Sequence, residues 1–478
     1  MKLSEFSAKE LSRMLREKKC SSVEITTDVL NNIKEKDETI NAYITVMEDE
    51  ALKQAKEVDV KLANNEGLSD LAGIPIGIKD NMCVKGTLTT CASKILSNFV
   101  APYDATVIEK LKKQNVVFTG KLNLDEFAMG SSGEYSYYGK TLNPLNIEYV
   151  PGGSSSGPAA SVAAGEAIMS LGSDTGGSVR EPAAFCGTVG LKPTYGAVSR
   201  YGLIALASSF DQIGPLAKTV DDAAMLYRAI CGFDERDATT LHVNHNINDN
   251  LDNFDINGLK IGISEEYFKD GVDEDVVCNV KRSIKMLEER GAKIVNVSLP
   301  KGSDAIAAYY IILPAEASSN LARFDGVKYG YRAENYRSLE EMYENTRGEG
   351  FGKEVKRRIM LGTFILSSGH VDSIYAKGKL CQKKIIAEMK DVFKNCDVVI
   401  TPSAPSTAFK FGNLVNDPVK MYMNDMCTVL ANIAGLPAIS LPCGNGQNGL
   451  PIGLQVIGPH FSENLLFKIG KFHENLMK

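Results

Sequence analysis

Residues 150–187 read "VPGGSSSGPAASVAAGEAIMSLGSDTGGSVREPAAFCG", serines and glycines crowded around an apolar centre. A serine nucleophile needs a base, a path for its proton and a site for the developing oxyanion. Histidine, the usual base, is scarce. The chain has five, His242, His245, His370, His460 and His473. None falls in a strand-tip motif, and each reads as a surface or interface residue. Lysine can replace histidine where burial lowers its pKa and leaves the amine neutral. Lys79 ends the apolar run of "GIPIGIKDN", where desolvation would do this, although an isolated lysine is more often a solvated surface charge.

Two plainer readings of the stretch are weaker. A flexible linker is polar on both sides, whereas "AASVAAGEAIMSLG" would bury well and "LIALA" follows. A phosphate cradle would place glycine N–H groups before a helix. "GGSSSGPAAS" does precede one, but it lacks both the G-K-[ST] ending of a P-loop and the G-x-G-x-x-G of a dinucleotide turn.

Three separated motifs, "GIPIGIKDN", "GGSSSGPAASVAAG" and "GSDTGGSVREPAAFCGTVGLKPTYG", resemble in order those of the amidase signature family. The likeness runs over most of the chain and is densest from 73 to 215. It implies a Ser–cis-Ser–Lys triad, in which Lys79 matches the base, Ser154 the bridging serine after a cis peptide bond, and Ser178 the nucleophile. Glycines beside the cis bond would relieve crowding. The successive N–H groups of Thr175, Gly176, Gly177 and Ser178 suit an oxyanion hole. Ser131, Ser155 and Ser156 are expected as supporting hydrogen-bonders.

Within that family, "DEFAMGSSGEYS", "PAEASSNLARFDGVKYGYR" and "FGKEVKRRIMLGTF" are similar to the ammonia-producing subunits of tRNA-dependent amidotransferases. The resemblance implies free glutamine as substrate, Arg358 on its α-carboxylate and Asp425 on its α-ammonium, with Tyr309 and Tyr310 as pocket walls. A surface arginine or a helix-capping aspartate would be the plain alternatives. The resemblance further implies a partner B subunit that uses ATP and magnesium to activate Glu-tRNA(Gln), and a small C subunit wrapping this chain. No motif for ATP, metal or tRNA is present in the chain itself, so no cofactor is expected in it. A stand-alone hydrolase of small aliphatic or aryl amides would share the triad but need no Arg358–Asp425 pair. A catalytically dead scaffold fits less well, since all three triad positions are filled.

The elements that must position these residues follow from periodicity. "SAKELSRMLREKK" and "SSVEITTDVLNNIKEKD" each open on a capping box, Ser7 with Glu10 and Ser21 with Glu24, and are amphipathic. "LAGIPIGIKDN", "VVFTGK", "AIMSLGSDT", "LKIGIS", "AKIVNVSL", "CDVVITPSA", "PAISLPCG" and "GLQVIG" read as strands. "ATVIEKLKKQN", "AASVAAGEA", "TVDDAAMLYRAICG" and 273–291 read as the helices between them. Such alternation predicts an α/β fold. With the family likeness, the expected form is a large mixed, largely parallel sheet covered by helices on both faces. A single amidase domain is expected over 1–478, with a signature core at about 70–215 and the asparagine-rich 244–258 as a surface loop between halves of the sheet.

Composition is ordinary for a globular chain: 478 residues, 44% hydrophobic and 23% charged. A net charge of -6 offers no basic footprint for nucleic acid. None of the ten cysteines has C-x-x-C spacing, and several, such as Cys427 in "MCTVLANIAG", lie in apolar runs, as small core hydrophobes do. The charged N-terminus has no apolar h-region and no apolar run spans a membrane. The cytoplasm, with reduced thiols, is the expected location.

Overall fold

The structure is a computed structural model describing residues 2–248, 250–269, 271–414 and 418–478. Among the described residues, eleven strands form one sheet: β1 (Tyr43–Val46), β2 (Pro75–Lys79), β3 (Val117–Leu122), β4 (Met169–Asp174), β5 (Val189–Lys192), β6 (Gln212–Ala217), β7 (Lys260–Ile263), β8 (Lys293–Asn296), β9 (Val398–Pro402), β10 (Ala438–Asn445) and β11 (Pro451–Ile457). Their order is β1-β3-β2-β4-β6-β5-β10-β11-β9-β7-β8. Each strand expected from sequence is present. The amphipathic N-terminal helices Ala8–Arg16 and Ser22–Ile40 open on the two expected capping boxes.

The sheet is mixed, as expected, but its parallel share is smaller. Parallel pairs are confined to β3-β2-β4 on one flank and β9-β7-β8 on the other. The centre, from β4 through β6, β5, β10 and β11 to β9, is antiparallel throughout. The reason is insertion. β4 and β5 are joined through the helix Arg180–Cys186 as a parallel crossover unit would be, yet β6 slots between them in the opposite direction. β10 and β11 then pair as a hairpin, Asn445 facing Pro451. Alternation of helix and strand reveals neighbours in sequence, and these inserted strands come from elsewhere.

Strands β2, β4, β5, β6, β9 and β11 are buried along their whole length. They read as continuous apolar or small-residue runs for that reason. Residues 244–248 and 250–258 carry no helix or strand, while Leu251 and Ile256 turn into the core; Asp249 lies outside the described residues. A helix pair, Gly302–Asn320 and Lys353–Leu366, contributes no strand and packs so closely that a Cβ on Gly362 would overlap the Pro314 carbonyl. All ten cysteines are free thiols, most of them buried. Among the described residues no helix is long and apolar enough to cross a membrane.

Candidate active site

Lys79 closes β2 and is fully buried. Its Nζ lies 2.9 Å from Ser154 Oγ, 2.8 Å from Ser155 Oγ and 2.9 Å from Ser173 Oγ. Burial lowers its pKa to about 7, against the raising influence of Asp125, Asp174 and Asp211. The amine is thus poised between charged and neutral forms near neutrality. Ser155 donates its hydroxyl to the Ser173 carbonyl (3.1 Å), and Asn81 Nδ2 donates to Ser173 Oγ (2.9 Å). Those bonds fix the lysine's surroundings.

The Gly153–Ser154 peptide is cis, as the family likeness implied. Ser156 starts the small-residue helix Ser156–Ala164. The Ser178 loop is tied to this segment through the backbone, since Ser155 N–H donates to the Ser178 carbonyl at 3.1 Å. Ser178 itself is 8% exposed. The structure therefore brings Lys79, Ser154 and the Ser178 loop together from β2, the turn before a helix and the turn after β4.

Asp174 organises the 175–179 turn. Its carboxylate accepts from Gly177 N–H at 2.9 Å and Val179 N–H at 3.1 Å, and pairs with Arg180 through Nε and Nη2, each at 3.0 Å. Burial opposes its ionisation, but the Arg180 charge prevails and holds the carboxyl at about 2. Arg180 is fully buried and also donates to the Thr428 carbonyl, Gln455 and Asn432, so the charge pair has no idle donors of consequence. Gly177 has φ +145°, which a side chain would resist, and Gly176 is overlain by the Tyr309 hydroxyl, leaving no room for a Cβ.

This arrangement corrects the expected oxyanion set. The Gly177 N–H is spent on Asp174, whereas no described residue accepts from the N–H groups of Thr175, Gly176 or Ser178. The motif displays four successive amides but not which of them the aspartate captures.

Arg358 and Asp425 come to one place from opposite ends of the C-terminal half. Arg358, buried on the helix Lys353–Leu366, donates Nε to Glu354 at 2.9 Å, and no described residue accepts from its Nη groups. Its guanidinium stands 5.7 Å from the Tyr310 ring centre and 5.4 Å from that of Tyr422. Those two rings stack, 4.0 Å between centres. Asp425 is buried too and accepts from Tyr310 Oη at 2.6 Å and Ser131 Oγ at 3.3 Å. Burial raises its pKa, while the Tyr310 hydrogen bond and the Arg358 charge lower it. Tyr310 thus touches both charged residues, and Tyr309 packs edge-on against Tyr310 while its hydroxyl meets Gly176.

Some expectations need adjusting. Ser131 and Ser155 do support the site, but Ser156 donates to Thr141, away from Lys79 (3.3 Å). His473 is no surface residue: it is buried in the helix Glu463–Met477, and burial depresses its pKa to about 4. It is a neutral core imidazole, placed by a helix face that a single residue's polarity does not reveal. Sequence reading missed Ser173, Glu354 and Tyr422. Glu354 had a signal, since it lies one helical turn before Arg358. Among the described residues no group of three or more His, Cys, Asp or Glu is placed to hold a metal ion. A surface cleft beside β8 is lined by solvated groups such as Lys384 and Asp391 and holds none of these residues.

The amidase family profile matches residues 24–467. A curated relative, the A subunit of glutamyl-tRNA(Gln) amidotransferase from Carboxydothermus hydrogenoformans, is 52% identical over 99% of this chain and 98% of its own. Among solved structures, the A subunit of glutamyl-tRNA(Gln) amidotransferase from Thermotoga maritima is 41% identical, covers 98% of this chain and 93% of its own, and has a TM-score of 0.80. Native peptide amidase of Stenotrophomonas maltophilia is 27% identical over 98% and 96%, with a TM-score of 0.83.

Proposed function

The chain belongs to the amidase family, and we propose that it is the glutaminase subunit of a tRNA-dependent amidotransferase, hydrolysing free glutamine to glutamate and ammonia. Ser178 Oγ attacks the side-chain amide carbon, and its proton passes to Ser154 and on to Lys79. The N–H groups of Gly176 and Ser178, with Thr175, hold the oxyanion. Lys79 then returns the proton through Ser154 to the leaving ammonia, and water hydrolyses the glutamyl ester on Ser178. The observation that carries this reading is the buried Lys79 amine, its pKa lowered to about 7 and its Nζ 2.9 Å from Ser154 Oγ.

Recognition of glutamine rests on the second cluster. The Nη groups of Arg358 have the fork geometry for an α-carboxylate, and Asp425 has the charge for an α-ammonium. Tyr310 holds Asp425 in position, and Tyr309 walls the passage to the Ser178 loop. In this reading, as the family resemblance implies, the ammonia serves a partner B subunit that activates Glu-tRNA(Gln) with ATP and magnesium, in a cytoplasmic heterotrimer whose small C subunit wraps this chain.

Arg358→Ala tests the assignment. A charge-assisted hydrogen bond is worth about 1.5–3 kcal/mol, so kcat/KM for glutamine should fall by about 10–100-fold or more. A small neutral amide has no α-carboxylate, and its hydrolysis should hardly respond. Specificity constants for both substrates, in wild type and variant, decide it. Equal falls would make Arg358 structural. No fall for either would favour a general amidase of small amides.

A further inference from the structure

Thr428 stands between the two clusters, and the mechanism leaves its hydroxyl without a task. It is 1% exposed and follows Asp425 by three residues, its N–H donating to the Asp425 carbonyl at 3.1 Å. Its hydroxyl crosses to the other cluster and donates to the Gly176 carbonyl at 2.6 Å. The same oxygen lies 3.2 Å from the Asp425 carbonyl, but a hydroxyl has one proton and that carbonyl already accepts the Thr428 N–H. The shorter bond takes the proton. The approach is close, since a Cβ on Gly177 would overlap the Thr428 side chain.

What that bond holds is one peptide plane. The Gly176 carbonyl and the Gly177 N–H belong to the same rigid unit. Thr428 grips its oxygen, and Asp174 grips its nitrogen at 2.9 Å. The contacts close into a ring, because Arg180 pairs with Asp174 through Nη2 at 3.0 Å and donates Nη1 to the Thr428 carbonyl at 2.9 Å. The amides assigned to the oxyanion, Gly176 N–H and Ser178 N–H, flank the gripped plane on either side. Both joints between them are glycines, which restrain their own backbone least. An oxyanion site works only if its donors are aimed before the charge develops. We propose that Thr428 is a positioning residue for amide hydrolysis, whose hydroxyl locks the Gly176–Gly177 peptide and so aims the flanking N–H groups at the oxyanion. This inference rests on the Ser178 mechanism above, though not on which amide is cut.

The test is steady-state kinetics of the assembled enzyme with glutamine and with a small neutral amide. Thr428→Ala and Thr428→Ser both lose the methyl and differ only in the hydroxyl. Removing one oxyanion donor outright costs about 10²–10³-fold, and a tilted peptide forfeits part of that. Thr428→Ala should therefore lower kcat about 10–100-fold for both amides, with KM within about threefold of wild type. Thr428→Ser should keep kcat within about threefold. Should Thr428→Ala fail to fold, Thr428→Val replaces it as the variant without a hydroxyl. A residue kept only for packing would lower the melting temperature and leave kcat of the folded enzyme unmoved. Unchanged kcat in Thr428→Ala, or equal falls in the alanine and serine variants, overturns the proposal. So does a rise in KM for glutamine alone, which would make Thr428 a support for Asp425. Ser178→Ala separates the two readings. If it keeps wild-type turnover, the mechanism itself fails. If it is inactive while Thr428→Ala is unimpaired, the mechanism stands and only the role of Thr428 falls.

Discussion

A lysine accepts a proton only when its amine is neutral, and at Lys79 that condition is met by burial alone. The three aspartates around it work the other way, so the value of about 7 is a balance. The sign for activity follows. Below pH 7 the amine is charged and cannot accept the Ser178 proton, so kcat/KM should rise with pH through about 7 and then level. Lys79→Arg keeps a positive charge that never titrates in this range, so the rate should fall about 10²–10⁴-fold and the limb near 7 should vanish. A pH–rate profile of both proteins checks this, and an arginine variant with wild-type rate would exclude a lysine base. Much of the site at this scale was legible. Lys79, Ser154 and Ser178 stand in motifs that the likeness to the amidase family singles out, and the scarcity of histidine pointed to another base. Who captures whom was not legible. That Asp174 takes Gly177 N–H, that Ser173 shares the Lys79 amine, and that Tyr422 leans on Tyr310 all depend on contacts that a linear chain does not display.

At the scale of elements, the helices Gly302–Asn320 and Lys353–Leu366 carry Tyr309, Tyr310, Glu354 and Arg358. Their separation is set where Gly362 meets Pro314, with no space for a Cβ. Gly362→Ala must push the helices apart, and overpacking of this kind costs about 1–3 kcal/mol. Chemical denaturation should show that loss of stability. The displaced Arg358 should also raise KM for glutamine while the neutral amide responds less. An alanine variant with unaltered stability and KM would mean that the close approach does not set the pocket. Elements with a strong local signal, such as the two capping boxes and the buried strand ending at Lys79, were predictable because they are decided within a few residues. The antiparallel centre of the sheet was not. β6 enters between β4 and β5, and nothing in the spacing of apolar residues says which strands will be neighbours.

For the whole molecule, the proposed division of labour makes ammonia the one product that matters to the rest of the assembly. Ser178→Ala removes the attacking oxygen and should abolish glutamine-dependent transamidation, yet added ammonium salt should restore product in the intact complex. Loss that ammonium cannot rescue, with assembly confirmed, would refute that division. The layout of the chain also bears on descent. Groups that would break the bond sit on strand ends and on the turn locked by Asp174 and Arg180, deep in the sheet. Groups that would choose the amide sit largely on a helix pair that contributes no strand. Substitutions in sites without shared contacts act nearly independently. Lineages can therefore exchange the helix pair's side chains and acquire a new diet without relearning how to cut. The contact of Tyr309 with Gly176 is the seam where inherited chemistry and acquired taste must still agree.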